Sequence, residues 1–496
     1  MNAVLPLVQE LEPPPDPCTA CERLASLPYR LFLDSTADPG RSGRYSFLTA
    51  DPAFVLRAHG SRTVQASAGR TDELPADILT AARELLITWA SRQLPELPPF
   101  QGGLAGYFGY ELGHVLERLP APRYDDLRLP HAQLGLYDWV LAWDHARDRA
   151  WIISTGVPAH GGAGRARAAA RLGAVLERLA APAQFDPPHF SHAAGIGAPA
   201  PSFSLDVPGW IGERESLRST FTRAGYLEAV ARVREYIVAG DIFQANLSQR
   251  LQTPLREHPW ALYRRLRQTS PAPFGAYLDC GEFTIASASP ERFLSLDGER
   301  RVETRPIKGT RPRGETPEAD AALARELRDS EKDRAENLMI VDLLRNDLSR
   351  VCVPGSVRAS ELFALEHYST VQHLVSTVTG LLEPHAGPVE LLAAAFPGGS
   401  ITGAPKIRAM EIIAELEPTT RGVYSGSIGY LGLDGTMDTS IAIRSCVAVG
   451  NTVYFSVGGG IVADSDPDAE YQETLNKAAG MVNAVSGERR GVRGEG

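Results

Sequence analysis

Cysteine is scarce, with five in 496 residues. That is too few and too dispersed for a disulfide framework, so the chain reads as a reduced protein. Cys18 and Cys21 form one C-x-x-C in a proline-rich lead, but a zinc site needs two further ligands at suitable spacing. The pair reads as two incidental thiols. Positive charge is not in excess either: 50 Lys and Arg stand against 60 Asp and Glu, a formal net charge of -10. This argues against a nucleic-acid or anionic-membrane binder built on a basic stripe. It leaves room for a small anionic substrate, because a few local cations outweigh a distant acidic surface. Long apolar runs are missing as well, and none approaches the roughly 20 residues that span a bilayer. The first basic residue is Arg23, behind Pro13, Pro14 and Pro15, so no secretory leader is expected and a cytoplasmic location is.

What is present is a globular composition, 43% hydrophobic and 22% charged. The length suits two ordinary domains or one composite fold. Short apolar runs at 44–48, 135–141 and 151–153 predict strands, and 76–92 an amphipathic helix. A helix near 164–180 leads into a Pro/Ala/Gly-rich stretch. The expected organisation is an N-terminal subdomain over 1–181, a linker over 182–215, a second domain over 216–487 and a tail over 488–496. The second domain is expected to hold helices at 224–239, 318–328 and 331–349, another after Pro405, and a last one from Pro467. Strands are expected at 242–252, 282–288, 371–380, 424–432, 438–449 and 452–458. Many strands without regular βαβ alternation predict an α+β fold.

The last helix opens on Asp466-Pro467, a capping carboxylate followed by proline. Glu470, Glu473 and Lys477, three and four apart, share one of its faces. Read alone, they are a solvated face with an ion pair. Ser330 predicts the cap of helix 331–349, with Asp333 in capping-box position and Glu336 on the same face. Leu338, Met339, Ile340, Val341, Leu343 and Leu344 make the rest of that helix apolar, so its edge carboxylates need a partner. A magnesium ion bridged by Glu336 and Glu473 would supply one.

Two glycine-rich segments bring backbone N–H groups forward. Gly398-Gly399-Ser400-Ile401-Thr402-Gly403 runs towards a helix whose N-terminus suits an anion, and Gly458-Gly459-Gly460 ends a strand. Each also reads as a tight turn. Lys308 sits among Arg305, Arg311 and Arg313, whose charge favours a neutral, nucleophilic amine, with Glu291 on the preceding extended segment. An exposed loop lysine is the alternative.

Taken together, Ser289-Pro290-Glu291-Arg292-Phe293, Pro306-Ile307-Lys308-Gly309-Thr310, Asp333 to Asp342, Phe396 to Lys406, Gly458 to Val462 and Tyr471-Gln472-Glu473-Thr474 resemble the chorismate-utilising enzymes. The resemblance is strong over 220–482 and weaker upstream, in Pro99 to Gly103 and Tyr110 to Gly113. It implies two large, mainly antiparallel sheets packed as a sandwich flanked by helices, with the active site between them. It implies Mg2+ on Glu336 and Glu473. It assigns the two carboxylates of chorismate to Tyr424, Arg444, Lys477 and the backbone of Gly309, Thr310, Gly458 and Gly460. His373 matches a histidine beside the reacting ring.

Gln244 stands where the water-using members carry a lysine base, and an amide cannot activate water, so an ammonia user is implied. Lys308 stands where anthranilate synthases usually have alanine and aminodeoxychorismate synthases have lysine. The implied reaction is formation of 4-amino-4-deoxychorismate, with Lys308 as nucleophile and Glu291 as general acid. Anthranilate formation is the nearest rival. A scaffold that only activates an amidotransferase is the rival from another class. No Gly-x-Cys-x-Gly nucleophile motif is present, so a separate glutamine amidotransferase subunit is the implied ammonia donor. Leu33-Asp34-Ser35 and Ser270-Pro271 partly match the two halves of a tryptophan pocket, which marks Ser35 and Pro271 as candidates for it.

Overall fold

A computed structural model describes residues 5–36, 43–67, 69–182, 199–205, 217–368 and 371–486. The expected tail at 488–496 and most of the expected linker (183–198 and 206–215) lie outside the described residues. Of the linker, Phe203–Ser204 adds a short strand to a sheet edge.

The β-rich runs fold into two antiparallel sheets, of 13 and 12 strands among the described residues. Each mixes strands from both ends of the chain. In the first, Leu31–Asp34 pairs with Phe274–Asp279, and Gln244–Pro254 pairs with Thr452–Ile461. In the second, Gly103–Phe108 pairs with Ser427–Gly432, and Val371–Leu381 lies between Ile307–Pro312 and Arg301–Arg305. The sheets pack face to face over a core in which Phe100 stacks on Tyr430 at 4.5 Å and Phe47 meets both rings edge-on. Such offset and T-shaped contacts add to the burial of apolar area that holds the layers together. Helices cover the outer faces: Pro259–Thr269 and Pro467–Ser486 on the first sheet, Ile78–Thr88, Glu331–Ser349 and Pro388–Ala395 on the second. The fold is α+β, as its sequence pattern predicts. No described helix is long and apolar enough to cross a membrane.

Two expected strands are each broken in two. The run 135–141 divides at Asp138 into Ala132–Tyr137, in the second sheet, and Trp139–Asp144, in the first. Asp138 is fully buried and accepts from Arg167 at 2.6 Å and Arg171 at 3.3 Å. The run 438–449 divides likewise into Met437–Ile441 and Ser445–Val449, and the corner between them carries Arg444 at φ 53°. Both halves of each run are largely buried, so no stretch of exposed turn residues marks the change of sheet. The strand expected from 424 begins at Ser427, after a turn in which Ser425 has φ 64°.

Candidate active site

The last helix starts as its sequence predicts, with Asp466 accepting from the Ala469 N–H at 2.9 Å. Ser330 caps Glu331–Ser349 by accepting from the Asp333 N–H at 3.2 Å. The reciprocal half of a capping box is replaced: the Asp333 carboxylate accepts from Arg311 at 3.1 Å. These two helices and the ends of both sheets enclose a cavity of about 690 Å³. Lys308, Glu291, His373, Gly309, Thr310, Tyr424, Arg444, Gly458, Gly460, Lys477, Glu336 and Glu473 all line it. Every residue predicted for catalysis, substrate binding and metal is thus brought to one place.

Lys308 lies where the pairing of Ile307–Pro312 with Val371–Leu381 shifts register between Ile307 and Thr310. Gly309 follows at φ 85°, and a Cβ there would come within 3.0 Å of the Asp333 side chain. The shift turns Lys308 into the cavity, where Nζ donates to the Ser400 carbonyl at 3.1 Å. Burial lowers the lysine pKa, opposed by Glu336 and Glu291. Neighbouring arginines, the cause expected from the sequence, do not act here. Arg305 is paired with Glu366, Arg311 with Glu326 and Asp333, and Arg313 with Asp320, so the three guanidiniums are neutralised locally. Desolvation is what favours the free amine.

Glu291 occupies the crossing between Phe283–Ser289 in the first sheet and Arg292–Leu296 in the second, and is 4% exposed. Burial pushes its carboxyl up to about 7, against a hydrogen bond from the Ser400 side chain and the charge of Lys308. His373 sits opposite Thr310, and its Nδ1 lies 2.9 Å from the threonine hydroxyl. Burial, then Arg444, presses its pKa down to about 3, so the ring is neutral.

Lys477 donates to the Gly458 carbonyl at 2.9 Å and pairs with Glu473 at 2.6 Å. Asn246 meets the Tyr424 hydroxyl. Arg444 has no carboxylate partner among the described residues. At Gly458 and Gly460 a Cβ would strike the Leu247 carbonyl and the Gln244 amide, at 2.5 and 2.4 Å. Those glycines are needed by packing against the neighbouring strand as well as by the open cavity wall.

Burial raises the pKa of Glu336, opposed by Lys308 and Lys332 and reinforced by Asp333 and Glu473. Glu473 is lowered: Lys477 and Lys332 outweigh the opposing effect of burial. Among the described residues no three His, Cys, Asp or Glu groups converge into a complete metal cage. Two carboxylates on facing helices, with water and substrate oxygens filling the other positions, is the donor set that suits magnesium.

The glycine-rich turn contributes differently from expectation. Ser400 and Ile401 line the cavity, whereas the start of Lys406–Leu416 does not. Lys406 turns inward to Asp347 at 2.7 Å and the Ala395 carbonyl at 2.8 Å. Asn246 and Ser400 line the cavity too, and sequence reasoning did not single them out as site residues. A second cavity, about 390 Å³, lies between the sheets and includes Asp34, Pro273 and Phe274 in its wall. Ser35 and Pro271 flank it without lining it. Their segments are joined by hydrogen bonds between Thr36 and Ala272.

The chorismate binding enzyme family matches residues 30–483. The chain belongs to this family. It is 42% identical to anthranilate synthase component 1 of Thermus thermophilus, over 95% of each chain. It is also 42% identical to aminodeoxychorismate synthase component 1 of Klebsiella aerogenes, over 93% of this chain and 95% of that one. The crystal structure of anthranilate synthase component I from Streptococcus pneumoniae superposes with a TM-score of 0.75 at 32% identity, covering 88% of this chain and 92% of that one. The chain is a chorismate-utilising enzyme, and the two kinds of relative are equally similar.

Proposed function

We propose that this enzyme aminates chorismate to 4-amino-4-deoxychorismate, on the route to p-aminobenzoate and folate. The observation that carries the choice is Lys308, whose amine points into the cavity beside Glu291, where the anthranilate-forming pattern has an alanine. Gln244 supports ammonia over water as nucleophile, since its amide is fully buried behind Gly460 and cannot act as a base.

Arg444, Tyr424 and Lys477, with the backbone at Gly309, Thr310, Gly458 and Gly460, hold the two substrate carboxylates through cations and oriented donors. Magnesium on Glu336 and Glu473, when bound, supplies a Lewis-acidic anchor for the C1 carboxylate. Lys308 attacks C2, both ring double bonds shift (C1=C2 to C1=C6, C5=C6 to C4=C5), and the 4-hydroxyl leaves as water on a proton from Glu291. Ammonia then bonds to C4, both double bonds shift back, and Lys308 leaves C2 as the amine. The new C4 ammonium returns a proton to Glu291. A carboxyl near 7 and a lysine eased towards neutrality suit these two roles. His373, neutral, packs beside the ring.

Ammonia comes from a glutamine amidotransferase subunit, in keeping with the component 1 names of the relatives. The cavity between the sheets, next to Ser35 and Pro271, is the candidate tryptophan pocket. The test is mass-resolved product analysis with chorismate, magnesium and ammonium. Aminodeoxychorismate supports this reading. Anthranilate with pyruvate overturns it in favour of the second reading, anthranilate synthesis, which the Thermus relative supports equally by identity.

A further inference from the structure

Arg421 lies outside every motif that marks the family resemblance, yet it is the most heavily bonded cation beside the cavity. It is 7% exposed and does not reach the cavity surface. Nε and Nη2 donate to the two oxygens of Glu417, at 2.9 and 2.7 Å. Nη1 donates to the Ile401 carbonyl at 2.9 Å, and Nη2 also to the Asn246 carbonyl at 2.6 Å. The guanidinium lies 5.8 Å from the centre of the Tyr424 ring and 4.6 Å from that of Tyr110.

Ile401, Asn246 and Tyr424 all line the cavity, and they come from three separate segments. Asn246 and Tyr424 both line the cavity and both lie against the Arg421 guanidinium, so the strand that carries Asn246 and the turn that carries Tyr424 meet at the cavity wall and again behind it. The cluster is braced from both sides. Glu417 also accepts from the Ser248 N–H at 2.7 Å and its hydroxyl at 2.8 Å. From the N-terminal half, Glu111 accepts from the N–H groups of Arg421 and Gly422 at 2.7 and 2.9 Å, and Tyr110 N–H donates to the Gly422 carbonyl at 2.8 Å.

We infer that Arg421 is a positioning residue: by holding the carbonyls of Asn246 and Ile401 and the ring of Tyr424 together, it fixes the wall that receives a substrate carboxylate. A buried guanidinium suits this because its planar fork makes the paired bonds to Glu417 while its remaining N–H groups reach two carbonyls in other directions. A lysine ammonium carries the charge but cannot span those four acceptors. The inference rests on the chorismate reading above and adds a part of the binding wall that no substrate atom touches.

The test uses the full chain with chorismate, magnesium and ammonium. Arg421→Lys is expected to keep native circular dichroism, to raise KM for chorismate at least about tenfold and to change kcat far less, since it loses charge-assisted hydrogen bonds that hold a binding wall. Tyr424→Phe added to Arg421→Lys should raise KM by less than the product of the two single effects, because one acts through the other. A purely structural role would lower the active fraction and the melting temperature while leaving KM alone, and that result overturns the inference. Should Arg421→Lys fail to fold, Glu417→Gln replaces it, with KM expected to rise about threefold as the fork loses its charged partner. An unchanged KM there overturns it equally. A wild-type chain that neither binds chorismate in calorimetry nor consumes it removes the functional reading, and this inference with it.

Discussion

The Ser400 carbonyl accepts a 3.1 Å hydrogen bond from Lys308, while the side chain of the same serine lies beside Glu291 and holds its pKa down against burial. One residue of the glycine-rich turn thus ties the candidate nucleophile to the candidate acid. If Lys308 forms a bond to substrate, that step needs no ammonia. Wild-type enzyme given chorismate and magnesium alone should accumulate an adduct equal to chorismate less water, visible as intact mass after acid quench. Lys308→Ala should lack the adduct, retain chorismate binding and lose aminodeoxychorismate formation by about a hundredfold or more. Full activity in Lys308→Ala would rule out the covalent route.

Glu291 offers a test that needs no turnover. Its folded carboxyl stands at about 7, above the ordinary value of 4.5, because burial disfavours the charge. A raised acid contributes stability in full below its unfolded value, and that contribution is lost as pH rises through the folded value. Glu291→Gln has no such loss. The melting temperature of the variant minus that of wild type should therefore become more positive between about pH 5 and about pH 8. A difference that stays flat would show that Glu291 is solvated.

Much of this site was legible in the sequence because its chemistry is local. Asp466 and Ser330 announced their helices, and the spacing of Glu470, Glu473 and Lys477 fixed one face before any fold was known. What the sequence could not show was which groups the fold pairs. Arg305, Arg311 and Arg313 read as charges pressing on Lys308, but their partners Glu366, Glu326 and Asp320 come from other segments and cancel them. The corners at Asp138 and Arg444 sit inside largely buried runs that read as single strands, because no exposed turn separates their halves. Arg421 was invisible for the same reason: of the four residues it donates to, only Glu417 is near in sequence, and Ile401, Asn246 and Glu111 lie 20, 175 and 310 residues away.

Magnesium should act through Glu336 and Glu473 together. Removing one carboxylate weakens a hard-cation site that draws only part of its coordination from protein. Glu336→Gln and Glu473→Gln should each raise the magnesium concentration needed for half-maximal chorismate consumption by about 10- to 100-fold, with activity partly restored at high magnesium. Glu473→Gln also frees Lys477, which the wild-type carboxylate holds at 2.6 Å, so its chorismate KM should shift more than that of Glu336→Gln. Equal magnesium dependence in wild type and both variants would place the ion elsewhere.

Arg444 combines two costs, one of which a bound carboxylate would offset. It adopts φ 53°, a left-handed conformation unfavourable for a residue with a Cβ, and among the described residues no carboxylate pairs with its charge. Burial lowers its pKa, so the cavity holds a cation that an incoming carboxylate would stabilise. A charge-assisted hydrogen bond is worth about 1.5–3 kcal/mol, or roughly 10- to 100-fold in affinity. Arg444→Gln should therefore raise the chorismate KM towards the upper end of that range, and Arg444→Lys, which keeps charge without the fork, by about tenfold. Arg444→Gly separates strain from binding. It relieves the left-handed backbone and removes the unpaired charge, so its melting temperature should equal or exceed that of wild type while chorismate binding is lost. A destabilised Arg444→Gly that still binds chorismate would make Arg444 a structural residue of the corner and leave the carboxylate to Tyr424 and Lys477.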